Sequence, residues 1–308
     1  MGVLFTPGPS ARTGQATTVV LAPRTRLPAI AESLGQAGVI RWPVAFIAAA
    51  VASGSAHRLK AGEYNFASRA SLARVLFQIR SGEVVRHFVT IPEGLTSAQS
   101  AAILNATPEL TGPAPVVAEG SLLPETYQVS YGESRGHVVE RMQAAMTALL
   151  QALWAARAQN LPYQSPEQAV ILASIVEKET ALPAERPHVA AVYLNRLRAG
   201  MRLGSDPTVV YGLTGGASLG HGLRVSELAR RTPYNTYLTA GLPPTPIANP
   251  GRAALAAALQ PSKNDDLYFV ANGTGGHVFS STLAAHMKNV ARWRSIERSQ
   301  AAIAAGGG

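Results

Sequence analysis

Ser165-Pro166-Glu167-Gln168-Ala169-Val170-Ile171-Leu172-Ala173-Ser174-Ile175-Val176-Glu177-Lys178-Glu179-Thr180 is the most informative stretch of this 308-residue chain. Serine at the N-cap, proline at the first helical position and glutamine at the capping-box position mark a helix start. The unbroken apolar run from Ala169 to Val176 predicts a helix buried on most sides. Three charged residues, Glu177, Lys178 and Glu179, follow where that run ends, and Thr180-Ala181-Leu182-Pro183 terminates the helix.

Glu177 and Glu179 are two apart, so on a helix they point to nearly opposite sides and cannot act as a pair. One turn back from Glu179 lie Ile175 and Val176, and two turns back lies Leu172. The same steps from Glu177 reach Ser174, Ala173 and Val170. Glu179 thus sits on the more apolar face, where desolvation favours the neutral acid. Protonating a glycosidic oxygen requires a carboxylic acid that keeps its proton near neutral pH. From this segment alone the plain alternative stays open: both glutamates are ordinary solvated or ion-paired residues at a helix end.

Working outward, residues 1–16 are rich in Pro, Gly and Ser and read as an extended leader. Thr17–Leu21 and Gly62–Phe66 read as strands, 27–37 and Ser71–Ile79 as helices, and Val84–Ile91 as a third strand. Residues 17–110 form a small binding or positioning module, and Thr111-Gly112-Pro113-Ala114-Pro115 suggests its end. Residues 111–296 read as a mixed domain, with a helix over Arg135–Arg157 and another over Glu185–Ala199. A polar turn, Gly200–Thr208, leads to a strand at Val209–Tyr211. A hairpin turns at Asn272-Gly273-Thr274-Gly275-Gly276, a helix covers Leu283–Trp293, and residues 297–308 read as a frayed tail. The fold class is α+β.

Composition narrows the function. Hydrophobic residues make up 47% and charged residues 15%, a globular balance. With no cysteine, disulfides and thiolate metal sites are excluded. The seven histidines are scattered without paired spacing, so neither a metal nor any other cofactor is expected. The net charge of +9 is almost all arginine. It suits an anionic partner, or simply a solvated surface, and no arginine cluster interleaved with aromatics points to nucleic acid. No run of 18 apolar residues exists, and the start lacks signal-peptide architecture, so the chain reads as soluble. Gly216-Ala217-Ser218-Leu219-Gly220 matches a nucleophile-elbow pattern but lacks the following helix, so a serine hydrolase is disfavoured. The loop Gly241-Leu242-Pro243-Pro244-Thr245-Pro246, after Tyr234-Asn235-Thr236-Tyr237, suits the wall of a sugar-binding cleft.

Several segments together resemble the endolytic murein transglycosylases, the YceG-like group. They are Leu59–Tyr64, Ile91–Thr96, Glu119–Tyr127, Ala173–Thr180, Asn195–Leu197, Asp206–Thr208, Tyr234–Tyr237 and Leu267–Ala271, and the likeness runs from about Phe5 to Arg294. The resemblance implies a LysM-like N-terminal module and a catalytic domain in which Glu179 is the general acid and base. It implies cleavage between N-acetylmuramic acid and N-acetylglucosamine within nascent strands, leaving 1,6-anhydro ends and terminating strand elongation. Tyr234 and Asn235 are candidates for orienting the sugar and Asp206 for supporting the site, with Asn195 and Glu119 as further substrate contacts. Glycan strands are the implied partner, and cell-wall synthases are implied by resemblance only. The family usually carries a membrane-spanning helix that places it at the periplasmic face of the inner membrane; that helix is not in this sequence. Gly204 stands where the family commonly has glutamine. Two competitors remain: a true hydrolase, and a non-catalytic peptidoglycan-binding scaffold.

Overall fold

Two hydrophobic cores form, one in each of two units of the chain. The computed structural model describes the backbone of residues 2–306 and the side chains of residues 2–299. The first unit takes Met1–Val89, Leu104–Ala114 and Thr126–Val138; the second takes Thr90–Ile103, Pro115–Glu125 and Val139–Gly308.

In the first unit a short helix, α1 (Gly2–Phe5), precedes β1 (Ala16–Leu21), α2 (Leu27–Gln36), α3 (Pro43–Ala52), β2 (Gly62–Ala67) and α4 (Leu72–Ser81). β1 and β2 pair antiparallel with Val19 opposite Tyr64. Leu34, Phe46, Tyr64, Phe66 and Ile79 fill the space between this ribbon and the helices. The Tyr64 hydroxyl donates to Lys60 O at 2.8 Å, which satisfies a buried phenol whose pKa burial pushes up to about 12. α4 starts on the Ser71 side chain and ends at Gly82 in the left-handed region, φ 77°.

Two expectations need correction here. The leader is not simply extended: Gly2–Phe5 is helical, and Gly8 N donates to Arg69 O while Ala11 N donates to Ser68 Oγ. The strand expected at Val84–Ile91 is shorter, β3 (His87–Thr90), and it pairs with β4 (Thr126–Val129). Just before it, Val84 lies against Gly62 and Val85 N donates to Glu63 O, tying this stretch to β2.

α5 (Ser97–Ala106) and α6 (Arg135–Ala155) each contribute residues to both units. The second unit is built around α7 (Pro166–Glu179), which packs against α8 (Arg186–Arg198), α9 (Asp206–Thr214) and α11 (Arg252–Leu259), and the short α10 (Val225–Leu228) touches α9. Leu172, Ala173, Ile175 and Val176 of α7 are completely buried among Val189, Tyr193 and Leu255. Truncating one of them, as in Leu172→Ala, costs about 2–5 kcal/mol. The buried Ser174 donates to Ile171 O and accepts from Ile247 N, fixing the Pro-rich loop to the helix.

The strand expected at Val209–Tyr211 is instead the middle of α9. Ser205 is extended at its N-cap, Asp206-Pro207 fill the first turn, and Gly215 closes it at φ 66°. These end signals override the β-branched pair. β5 (Tyr268–Ala271) and β6 (His277–Ser280) form the expected hairpin, with Phe269 opposite Phe279. α12 (Leu283–Gly306) packs on both strands. The tail expected to fray from 297 is helical in its backbone to Gly306, and Gly307 and Gly308 lie outside the described residues. Among the described residues no helix is long and apolar enough to cross a membrane.

Candidate active site

Glu179 is the last residue of α7, and Thr180 continues in an extended conformation, φ −140°. Two hydroxyls converge on its Oε1: Tyr193 from α8 at 2.7 Å and Ser205 from the α9 N-cap at 2.5 Å. Among the described residues Oε2 accepts no hydrogen bond. Burial raises the Glu179 pKa above the ordinary carboxylate range and the negative charge of Asp206 adds to this; the two hydroxyls and His277 pull it back. With Oε1 occupied as an acceptor, the proton of the neutral acid belongs on Oε2.

Ser205 is itself held. Its backbone N donates to Thr236 Oγ1 at 2.9 Å, Thr236 shares a 2.8 Å bond with Thr208, and Thr208 donates to Ser205 O at 2.6 Å. Ser205, Thr208 and Thr236 are all buried, so this ring fixes the hydroxyl's direction. Tyr193 is also buried, and burial and then the Glu179 charge drive its pKa far up, so it acts as a donor.

Glu177 has a different environment. Arg186 donates to its Oε1 at 2.8 Å and Gly251 N to its Oε2 at 2.9 Å, and the side chain is 4% exposed. Glu93 joins Arg186 at 3.5 Å. A Cβ at Gly251 would meet the Glu93 carboxylate and push that side chain from its place beside Arg186.

Asp206 is exposed at the start of α9 and accepts from the Tyr237 hydroxyl at 2.6 Å. It borders a cleft of about 460 Å³ shared with Thr96, Gln99, Lys178 and Tyr211. Tyr234 stands edge-on to Tyr211, ring centroids 4.8 Å apart, and its hydroxyl bonds Thr245 at 2.8 Å. Tyr211 donates to Glu119 Oε2 at 3.3 Å; burial and then Glu119 push its pKa up to about 12. Glu119 Oε1 accepts from Ser97 N at 2.7 Å. Glu119, Tyr211 and Tyr234 are thus linked through Tyr211, and of the three it is Tyr211 that lines the cleft with Asp206.

Asn235 and Asn195 stand elsewhere. Asn235 is fully buried and its amide donates to Leu228 O and Arg230 O, so it shapes the loop from within and presents nothing to a sugar. Asn195 donates to Asn264 O and Asp266 O, holding the segment before β5. In this structure both amides are spent on backbone carbonyls of neighbouring loops. Gly204 has φ 60°, and a Cβ there would lie 3.4 Å from the Tyr237 ring. Among the described residues no three metal-ligating side chains converge.

The YceG-like family matches residues 19–292. The chain belongs to that family. Endolytic murein transglycosylases are among its relatives: that of Bacillus subtilis (strain 168) is 43% identical over 126 residues, 40% of this chain and 34% of the relative. That of Streptococcus pneumoniae (strain D39) is 29% identical over 283 residues, 76% of this chain and 50% of the relative. This YceG-like chain thus spans half or less of the length of these curated relatives. The crystal structure of a putative YceG-like protein from Listeria monocytogenes superposes with a TM-score of 0.56 at 28% identity, covering 90% of this chain and 99% of that one.

Sequence reasoning missed four contributors to this YceG-like site. Tyr193 was legible only as a member of a buried stripe, and Ser205 only as the residue before Asp206-Pro207-Thr208. His277 and Glu185 carried no local signal. His277 Nδ1 bonds Glu185 Oε2 at 2.7 Å, its backbone N donates to Oε1, and Thr180 donates to the same carboxylate at 3.2 Å. The residue directly after Glu179 is thereby clamped to β6.

Proposed function

We propose that this chain is an endolytic murein lytic transglycosylase whose general acid and base is Glu179. The observation that carries the reading is the asymmetry of that carboxyl: two hydroxyl donors on Oε1, none among the described residues on Oε2, and a proton affinity raised by burial. The names of the relatives supply the substrate, and the site supplies chemistry that fits it.

Glu179 Oε2 protonates the glycosidic oxygen as the bond from C1 of N-acetylmuramic acid breaks. The oxocarbenium-like centre is met by the substrate's own C6 hydroxyl, which forms the new C1–O6 bond. The Glu179 carboxylate takes the proton released from that hydroxyl, and the acid is regenerated. Both steps use one carboxyl, so no partner carboxylate at the spacing of a two-carboxyl glycosidase is required. When Glu179 is ionised, the Tyr193 and Ser205 hydroxyls stabilise its charge. Asp206, held by Tyr237, offers a negative charge to the cationic transition state and favours the protonated form of Glu179. Tyr211 at the cleft, backed by Glu119 and Tyr234, orients the strand, while Asn235 and Asn195 support the loops beside it.

The order β1-α2-α3-β2, with the two strands paired antiparallel, supports a LysM-like reading of the first unit. On this proposal the cut ends the growth of a nascent strand at the periplasmic face of the inner membrane, beside cell-wall synthases. Digestion of purified sacculi by wild type and by Glu179→Gln, with products read by mass spectrometry, tests the mechanism. Internal fragments with 1,6-anhydromuramoyl ends from wild type alone are expected. Reducing ends would make the enzyme a hydrolase, and no release by folded wild type would favour the scaffold.

A further inference from the structure

Charge is unevenly spread along the chain. Residues 1–89 hold ten Lys and Arg against three Glu and no Asp, a balance of +7 out of the chain's +9. Two of those glutamates already have basic partners, Glu83 with Arg74 and Glu63 with His87, each at 2.7 Å. Among the described residues Arg58, Lys60 and Arg80 have no acidic partner. With His57 and Leu59 they line an open hollow of about 670 Å³.

The same unit exposes apolar surface that its core does not claim. α3 is apolar on every side. Phe46 and Ala50 are buried, yet Val44, Ala48, Val51 and Ala52 face solvent at the i, i+4, i+7, i+8 spacing of a single stripe. Val44 is 79% exposed and Val51 62%. Trp42 and Phe77 extend the exposed surface. Leu4 shares a hollow with Ala49, on the half-buried flank of α3, and with Phe77 and Arg80, and Arg80 also lines the basic hollow. Guanidinium groups lie over the exposed rings, Arg41 at 5.4 Å from Trp42 and Arg80 at 5.8 Å from Phe77.

A basic hollow alone would suit any polyanion, and an apolar ridge alone would suit another protein. Together, with Arg80 beside the exposed Phe77 and Arg41 over the exposed Trp42, they match the headgroup layer of an anionic bilayer. Apolar side chains enter the acyl boundary there, while long cationic ones reach the phosphates. At ten residues α3 is about 15 Å long, against roughly 30 Å of hydrocarbon. It fits lying in the interface and not across it.

We propose that the outer stripe of α3, with Trp42 and the basic hollow at Arg58, Lys60 and Arg80, is a docking surface for an anionic phospholipid bilayer. Co-sedimentation of the full chain with phosphatidylglycerol vesicles and with phosphatidylcholine vesicles tests it. Binding is expected to phosphatidylglycerol, to weaken as sodium chloride is raised, and to be slight on phosphatidylcholine. Val44→Glu combined with Val51→Glu, both at exposed positions, lowers the partition coefficient at least about tenfold. Arg58→Glu combined with Arg80→Glu lowers it roughly fivefold for each cation lost. Unfolding curves that match wild type confirm that both variants remain folded. Equal binding to the two lipids overturns the proposal. So does an apolar variant that binds phosphatidylglycerol like wild type, which would assign the surface to a soluble polyanion. A wild-type dimer lost in the Val44/Val51 variant, with no vesicle binding by either, would also overturn it and seat a second copy there.

Discussion

Glu177 and Glu179 leave the same helix two residues apart and enter opposite environments. Glu177 is closed by Arg186 at 2.8 Å, whereas Glu179 meets two neutral hydroxyls and, among the described residues, no salt-bridging cation. Burial raises the Glu177 pKa too, but Gly251 N and Arg186 occupy both of its oxygens and pull it back, so neither oxygen is left to meet a substrate. Glu179, desolvated and with Oε2 unbonded among the described residues, has one.

Replacing Glu179 by Gln is expected to reduce strand cleavage by at least about 100-fold and to stabilise the fold near neutral pH. Its folded-state pKa lies above the ordinary 4.5. The folded wild type therefore holds this proton more tightly than the unfolded chain, and it loses stability as pH rises from the unfolded value through the folded one. The variant has no such loss. The gap in Tm between variant and wild type should open with rising pH and then level off. A constant gap from pH 4 to 8 would show that Glu179 is not buried as a neutral acid.

Ser205→Ala and Tyr193→Phe each remove a donor that holds the Glu179 pKa down against burial. The acid then keeps its proton to higher pH, so the falling alkaline limb of kcat/KM should move upward. The maximum rate should drop about 10-fold or more as the carboxylate loses support. Kinetics on soluble muroglycan across pH 5–9 check the direction. A limb that moved downward would contradict the assignment.

Glu177→Gln removes the carboxylate that compensates Arg186, and the cost is expected in folding. Breaking such a buried pair costs about 3–5 kcal/mol. Urea denaturation should record it, while the alkaline limb of the pH profile stays in place. A shifted limb with intact stability would transfer the catalytic role to Glu177.

His277 lowers the Glu179 pKa, and Glu185 holds its ring at 2.7 Å. His277→Asn should move the alkaline limb upward, in the same direction as Ser205→Ala, without removing a group that touches Glu179. Glu185→Gln should reproduce part of the effect by loosening the clamp on Thr180. The comparison of the two pH profiles is the measurement.

The sequence by itself determined α7, its proline start and the apolar face under Glu179, because a 3.6-residue period and end signals are local properties. The hairpin around residues 272–276 and the Ser71–Gly82 boundaries of α4 were legible for the same reason. Where local signals conflicted, tertiary structure decided. Val209-Val210-Tyr211 favours a strand, but Asp206-Pro207 at one end and Gly215 at the other make α9. Tertiary structure alone brought Tyr193 and Ser205, 14 and 26 residues beyond Glu179, onto one oxygen. It also spent Asn235 and Asn195 on loop carbonyls and paired β3 with β4. Hydrogen bonds between distant residues are set by how helices pack, and a one-dimensional pattern carries the faces that pack but not the partners they meet.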